Sequence, residues 1–334
     1  MIVGHAFLAF ALCAGFALWD RWSRRSARQV GLVAAAFALL PDVDMAYALI
    51  GVVGLVGGTP DGPLAVARGF WGASTAVHRA VTHSVLLAVP AAIAFALWAM
   101  PGAESDRDRL FRRWVGLVLL AGLCLIAFQV SGLLGLAAMG LYAAIGLSFA
   151  TAIARFGTLD SRIILAAIFV GLISHPFGDV FTGTPPNFLY PFPVVVVGDV
   201  FHLHPDPTLH LLYTFGLELA TIWVAFRVFV GTIDGFSVGT VGVGYAVTGL
   251  GFALLVPIVQ APTLEASYHF VLPVVGFGVL VGVVAYWASV ADRHPSGIDR
   301  ALATAAVALR GMLVAFGSYA IVYLLVHPHL IRAL

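Results

Sequence analysis

The hydrophobic positions of this chain form long unbroken runs, separated by short stretches that gather its arginines, histidines, acids, glycines and prolines. Runs of roughly 17 to 25 apolar residues fit single helical crossings of a bilayer. They fall at about 2–19, 30–57, 84–100, 114–131, 133–154, 163–181, 209–230, 238–259, 269–290 and 301–326, with the fourth and fifth parted at Ser131-Gly132. The pattern predicts an all-α fold, a polytopic transmembrane helical bundle of about ten spans. The first run, Met1–Trp19, has no basic start and leads into Asp20 and arginines instead of a small-residue cleavage site. It therefore reads as a retained span and not as a signal peptide.

Arginine placement orients these spans, because basic loops stay on the cytoplasmic side. Arg21, Arg24, Arg25 and Arg28 follow the first run, Arg107, Arg109, Arg112 and Arg113 the third, and Arg155 and Arg162 the fifth. Arg227 ends the seventh, and Arg293 and Arg300 share the loop after the ninth. Ten crossings put all of these on one side; the loops near 58–83, 183–208 and 260–268 carry only Arg68 and Arg79. Both termini are then expected outside the cell membrane. Composition agrees: of 334 residues, 61% are hydrophobic and 10% charged, against about 25% charged in a soluble domain. All 17 basic residues are arginine, and a net charge of +1 gives no electrostatic case for nucleic acid as a partner. Cys13 and Cys124 lie inside apolar runs, which suits packing and neither a disulfide framework nor a thiolate site.

Ionisable residues inside apolar runs are costly, so each calls for a reason. His5, Asp42 and Asp44 in Leu40-Pro41-Asp42-Val43-Asp44, His78 and His83 in His78-Arg79-Ala80-Val81-Thr82-His83-Ser84, and His175 with Asp179 are the cases here. Their depths match. His5 lies 15 residues from Asp20, His175 13 from Arg162 and Asp42 14 from Arg28. At 1.5 Å per helical residue these are all roughly 20–22 Å from the basic side. His78 and His83 precede a span that starts from the outer side, so they reach the same level. The layer is expected in the outer half of the membrane.

Imidazoles with carboxylates are the ligand set of zinc or another borderline divalent cation. His175 and Asp179 are four apart and share a helical face. Asp42 and Asp44 fit the bend that Pro41 favours, and His78 and His83 fit a loop leading into its span. Pro176 suits either the first turn of a new helical segment or a kink. Four nitrogens and three carboxylates are too many for one tetrahedral ion, so two ions, or one with outer acids, are expected. Asp44 or Asp42 would serve as base toward water. Thr82 or Ser84 would cap the helix that follows. Arg79 either anchors at the interface or offers its fork to a substrate phosphate or carboxylate.

A second polar cluster, Asp199, His202, His204 and His210, sits in the outer loop near 182–208 and reads as solvated loop residues, a further ligand pair or a lid. Ser84, Asp199, His202 and His204 join Arg79 as candidate substrate contacts. The chain divides into a metal-site membrane domain, 1–208, and C-terminal membrane helices, 209–334, with few ionisable groups.

The segments GHAF at 4–7, LPDVD at 40–44, HRAVTHS at 78–84 and GLISHPFGDVFTG at 171–183, with Tyr190-Pro191-Phe192-Pro193, together resemble the YdjM-type membrane-bound metal-dependent hydrolase family. Ala80 and Val81 replace that family's usual Gly-Phe and leave the polar positions intact. The chain is more distantly similar to zinc-dependent phospholipase C and single-strand nuclease enzymes, a likeness that implies phosphodiester hydrolysis. On that footing the chain is expected to be a metal-dependent hydrolase acting on a phosphoester bond of a lipid or lipid-linked substrate, with zinc, or else manganese, as one or two ions. Arg79 would stabilise charge on the phosphoryl oxygens. The rival expectation is a non-enzymatic metal-binding transporter or sensor, though one layer of polar groups suits a site better than a path. A membrane metalloprotease is excluded by the absence of H-E-x-x-H, and an acid-phosphatase-type lipid phosphatase by the absence of lysine.

Overall fold

A computed structural model describes residues 2–48, 79, 81–102, 105–181, 185–238, 242–259, 261–263, 267–288 and 297–326. It divides into two compact units, Met1–Val200 and Phe201–Leu334. The described residues are helical or irregular, with no strand among them. The turn at 203–206 is hydrogen-bonded to the helix it precedes. Asp206 caps that helix by accepting from the Leu209 N–H at 2.8 Å, and the Leu203 N–H donates to His210.

In the first unit, α1 spans Ile2–Trp19 and α2 spans Arg24–Leu39, opened by Ser23, whose hydroxyl accepts from the Ser26 N–H. The run expected as one span over 30–57 is broken, because α2 stops at Leu39. Pro41 has no N–H to continue the ladder, and the chain tightens into a 3-10 turn over Pro41–Ala48. A second 3-10 turn, Val81–His83, leads into α3, Val85–Ala99, and then come α4, Asp106–Phe156, and α5, Ser161–Asp179. α5 runs through Pro176 to Asp179, so no new helix begins there.

α4 is a helical hairpin. The Arg113 guanidinium lies 4.8 Å over the Trp98 ring, and the Trp98 indole N–H donates to Thr151 at 2.9 Å. Residues 38 apart in sequence thus meet one side chain, where a straight helix would hold them about 57 Å apart. The reversal is at Gly132, with φ 63° and ψ −150°, a conformation open to glycine and closed to residues with a Cβ. This is where the fourth and fifth apolar runs were expected to part.

Between apolar helices in lipid, association rests on close packing and not on the exclusion of water. Small residues make that packing here. A Cβ on Gly31 would overlap the Ala14 and Phe10 side chains, and one on Gly171 would collide with the Ala34 carbonyl, so α1 side chains pack directly on the α2 backbone, and α2 and α5 touch nearly backbone to backbone. Phe37, Phe95 and Phe149 fill the space between α2, α3 and α4, with ring centroids 5.3 and 6.0 Å from Phe37. Outward faces keep large apolar residues exposed, Leu12, Phe16, Val118 and Leu133 among them.

The second unit holds α6, Pro207–Gly231, α7, Val243–Ala246 continuing as a 3-10 segment over Val247–Leu255, α8, Tyr268–Trp287, and α9, Gly297–Val326. Its core is built on Leu212, Phe215, Val274 and Tyr319. Across both units, five described helices are long and apolar enough to cross a membrane: α4, α5, α6, His269–Trp287 within α8, and α9. Val3–Trp19, Val85–Ala99 and Val243–Leu255 are shorter apolar helices.

The backbone contact at Gly171 yields a direct expectation. Gly171→Ala should destabilise the protein by about 1–3 kcal/mol through overpacking, whereas Gly122→Ala, where a Cβ meets nothing within 4 Å, should be neutral. Thermal unfolding of both variants in detergent checks this; equal melting temperatures would mean that α2 and α5 are not in such close contact.

Candidate metal centre

Four elements of the first unit bring their polar residues to one end of the helices. His5 comes from the first turns of α1, Asp42 and Asp44 from the Pro41 turn after α2, His83 from the turn before α3, and His175 with Asp179 from the last turns of α5. His5, Asp44, His83, His175 and Asp179 are all buried. The arginine-bearing ends lie at the other pole: Thr158, just before α5, donates to Gln29 near the start of α2, while Arg113 packs on Trp98 near the end of α3.

The donor atoms converge closely. His83 Nε2 is 3.0 Å from His175 Nε2, 3.3 Å from Asp179 Oδ2 and 3.8 Å from Asp42 Oδ1. His175 Nε2 is 3.5 Å from Asp179 Oδ2 and 3.6 Å from Asp42 Oδ1. On the other side of the carboxylate, Asp179 Oδ1 lies 3.2 Å from His5 Nε2. Two ligand-like groups result, His5–His175–Asp179 and Asp42–His83–His175.

Hydrogen-bond partners decide which nitrogens carry protons. His175 Nδ1 is 2.7 Å from the Ala38 carbonyl, an acceptor only, so Nδ1 holds the hydrogen and Nε2 presents a lone pair. Thr82 donates its hydroxyl hydrogen to Asp44 Oδ2 at 2.5 Å, and His83 Nδ1 lies 2.9 Å from that hydroxyl oxygen and 3.5 Å from Asp44 Oδ2. With these two oxygens beside it, His83 Nδ1 carries a hydrogen, so in the neutral ring Nε2 presents a lone pair. In the neutral rings two lone pairs thus lie 3.0 Å apart, with a carboxylate oxygen of Asp42 and one of Asp179 near both, and Asp42 Oδ2 has no hydrogen-bond partner among the described residues.

Such a point attracts positive charge. That charge can be a proton on His83 or a metal ion that takes its place. A divalent ion fits the spacing. Tetrahedral zinc with bonds of about 2.0–2.1 Å holds its ligand atoms about 3.3 Å apart, within the 3.0–3.8 Å spread of these donors. Asp179 turns one oxygen toward His5 and the other toward His83 and His175, so one or two ions can be held.

Arg79 closes the rim. Its backbone is left-handed at φ 65°, a strained conformation for a side-chain-bearing residue, and its partly exposed guanidinium lies 3.4 Å from Asp179 Oδ1. The Asn187 N–H donates to the Arg79 carbonyl, while Ser84 Oγ donates to the Phe188 and Tyr190 carbonyls and accepts from the Leu87 N–H. Ser84 is thus the helix cap, and it also straps the Tyr190-Pro191 segment to the wall of the site. Asp44 sits on the Nδ1 side of His83, away from the converging lone pairs, and belongs to neither ligand-like group.

His78 lies outside the described residues. Asp199 is exposed and accepts from its neighbour Val200 at 2.7 Å. His202 and His204 belong to the second unit, where His204 Nδ1 accepts from the Asp206 N–H and the His202 ring lies tilted beside His210, with centroids 5.1 Å apart. Sequence reasoning missed three participants: the Ala38 carbonyl, which carries no sequence signal, Gly178, and Thr82 as a partner of His83. The adjacency of Thr82 to His83 was the one available clue.

An all-helical chain with several apolar helices and a buried His/Asp cluster at one end is a multi-pass membrane protein. The YdjM inner membrane protein family matches residues 1–252, and the chain belongs to that family. No curated protein and no solved structure matches it.

A Cβ on Gly178 would collide with the His5 imidazole. With chelator present, Gly178→Ala should cost about 1–3 kcal/mol, and much less in a His5→Ala background. A double-mutant cycle of melting temperatures tests this; additive costs would rule out the collision as their source.

Proposed function

We propose that this protein is a membrane-embedded metal-dependent hydrolase acting on a phosphoester bond in a lipid or lipid-linked substrate. The observation that carries the reading is that His83 Nε2 and His175 Nε2 stand 3.0 Å apart, with Asp42 Oδ1 and Asp179 Oδ2 each within 3.8 Å of both, while the other nitrogen of each ring faces an oxygen acceptor. His5, Asp42, His83, His175 and Asp179 would hold one or two ions, zinc foremost and manganese next; His78 and Asp44 complete the expected polar set. A divalent ion there supplies Lewis acidity toward a phosphoryl oxygen and activates water.

The remaining work falls to this chain's own groups. Arg79, partly exposed beside Asp179, presents a fork suited to phosphoryl oxygens in which charge builds during cleavage. Asp42 Oδ2, buried and without a hydrogen-bond partner among the described residues, would take a proton from the attacking water, with Asp44 the more distant candidate. The site lies at the pole of the first unit opposite the arginine-bearing ends, which under the positive-inside rule supports an extracytoplasmic site, and ten spans would put both termini on that side too. Exposed Phe192, Val194, Val195 and Val196 follow the segment strapped to the site wall and offer an apolar surface to acyl or prenyl chains.

His175→Ala and Asp179→Asn should each remove bound zinc or manganese and abolish hydrolysis, measured by elemental analysis and turnover on phospholipid and phosphodiester panels. Full metal content and activity in either variant would sink the ligand assignment. Metal-loaded protein that turns over no phosphoester, but moves the ion into vesicles, would make it a transporter.

A further inference from the structure

The His83 ring lies against a neighbouring hydroxyl. Thr82 is buried, and its hydroxyl can supply one hydrogen, which goes to Asp44 Oδ2 at 2.5 Å. What remains toward His83 is an oxygen lone pair, 2.9 Å from Nδ1. Rotating the ring by half a turn would put a carbon where Nδ1 now finds its acceptor and would turn Nε2 away from His175 and Asp179. Asp44 by itself is a weaker guide, since its oxygen stands 3.5 Å from Nδ1.

We infer that Thr82 is a positioning residue, relaying the Asp44 carboxylate to His83 so that Nε2 is held as a strong metal donor. The inference rests on the metal-site reading above and deepens it by assigning a task to a residue that touches no ion. Its chemistry is that of an outer hydrogen-bond partner: the acceptor on Nδ1–H fixes the tautomer and raises the electron density at the opposite nitrogen. A hydroxyl between the carboxylate and the imidazole also keeps Asp44 out of the ligand set, leaving the negative charge next to the ion to Asp42 and Asp179.

Thr82→Val keeps the β-branched shape and deletes the hydroxyl, while Thr82→Ser keeps the hydroxyl. Full-length protein in detergent, stripped of metal, would be titrated with zinc against a chromophoric chelator and loaded with cobalt for its visible spectrum. Thr82→Val should bind zinc about 10- to 100-fold more weakly and shift the cobalt bands. Thr82→Ser should match the wild type in both, and metal-free melting temperatures separate these effects from a general loss of fold. If the valine variant is not recovered folded, Thr82→Ala serves in its place with the same expectation. Wild-type zinc affinity in Thr82→Val or Thr82→Ala overturns the inference, as does a serine variant that binds no better than valine. Wild-type protein that takes up neither zinc, cobalt nor manganese would overturn the metal-site reading itself, and the inference with it.

Discussion

Two imidazole nitrogens, which in the neutral rings turn lone pairs toward each other, stand 3.0 Å apart in the buried end of the first unit, with a carboxylate oxygen of Asp42 and one of Asp179 within 3.8 Å of both. Acceptors brought together away from water repel one another, and an unpaired buried charge is costly in proportion to its desolvation. The arrangement is stable only with positive charge among them, as a proton on His83 or as a metal ion. Much of the surrounding structure serves to hold it. The Ala38 carbonyl and the Asp44–Thr82 pair fix the two rings, and Gly178 lets the His5 ring lie against α5.

Holding four chain segments in such register within a membrane requires close, rigid packing. Glycines let the elements approach at two of the places where they meet: Gly31 faces Ala14, and Gly171 faces the Ala34 carbonyl. Because His175 lies one helical turn beyond Gly171 and its Nδ1 partner Ala38 one turn beyond Ala34, the same backbone contact that packs α2 on α5 also sets the depth of the His175 ring. Packing and ligand geometry are thus a single constraint in this part of the molecule. Gly132 contributes at longer range. By folding α4 back on itself, it lets both halves pack on α3 through Trp98 and brings Ser131 within 3.4 Å of the Tyr190 hydroxyl, on the segment that Ser84 straps down.

The apolar runs and the arginine pattern made the all-helical membrane class readable directly, because a bilayer imposes a length and a charge asymmetry that one-dimensional sequence records. The break at Ser131-Gly132 was readable for a similar reason, since a glycine between two apolar runs marks a reversal. So was the common level of His5, Asp42 and His175, because helical rise turns sequence distance into depth. The run at 30–57 was not readable as the structure has it: α2 begins in the arginines at Arg24 and stops at Leu39, where the proline's missing N–H outweighs hydrophobicity.

Sequence alone determined which residue types this protein keeps in its apolar interior and at what level along each helix they stand. Only the tertiary structure decided how they divide the work. Asp42 and Asp44 are two residues apart and chemically identical, yet one faces His83 Nε2 and His175 while the other holds Thr82 behind the ring. Thr82 and Ser84 were equal candidates for a helix cap, and only Ser84 takes that place. Those choices depend on which atoms of distant segments meet, and hydrogen bonds act over about 3 Å, a scale that spacing along the chain does not encode.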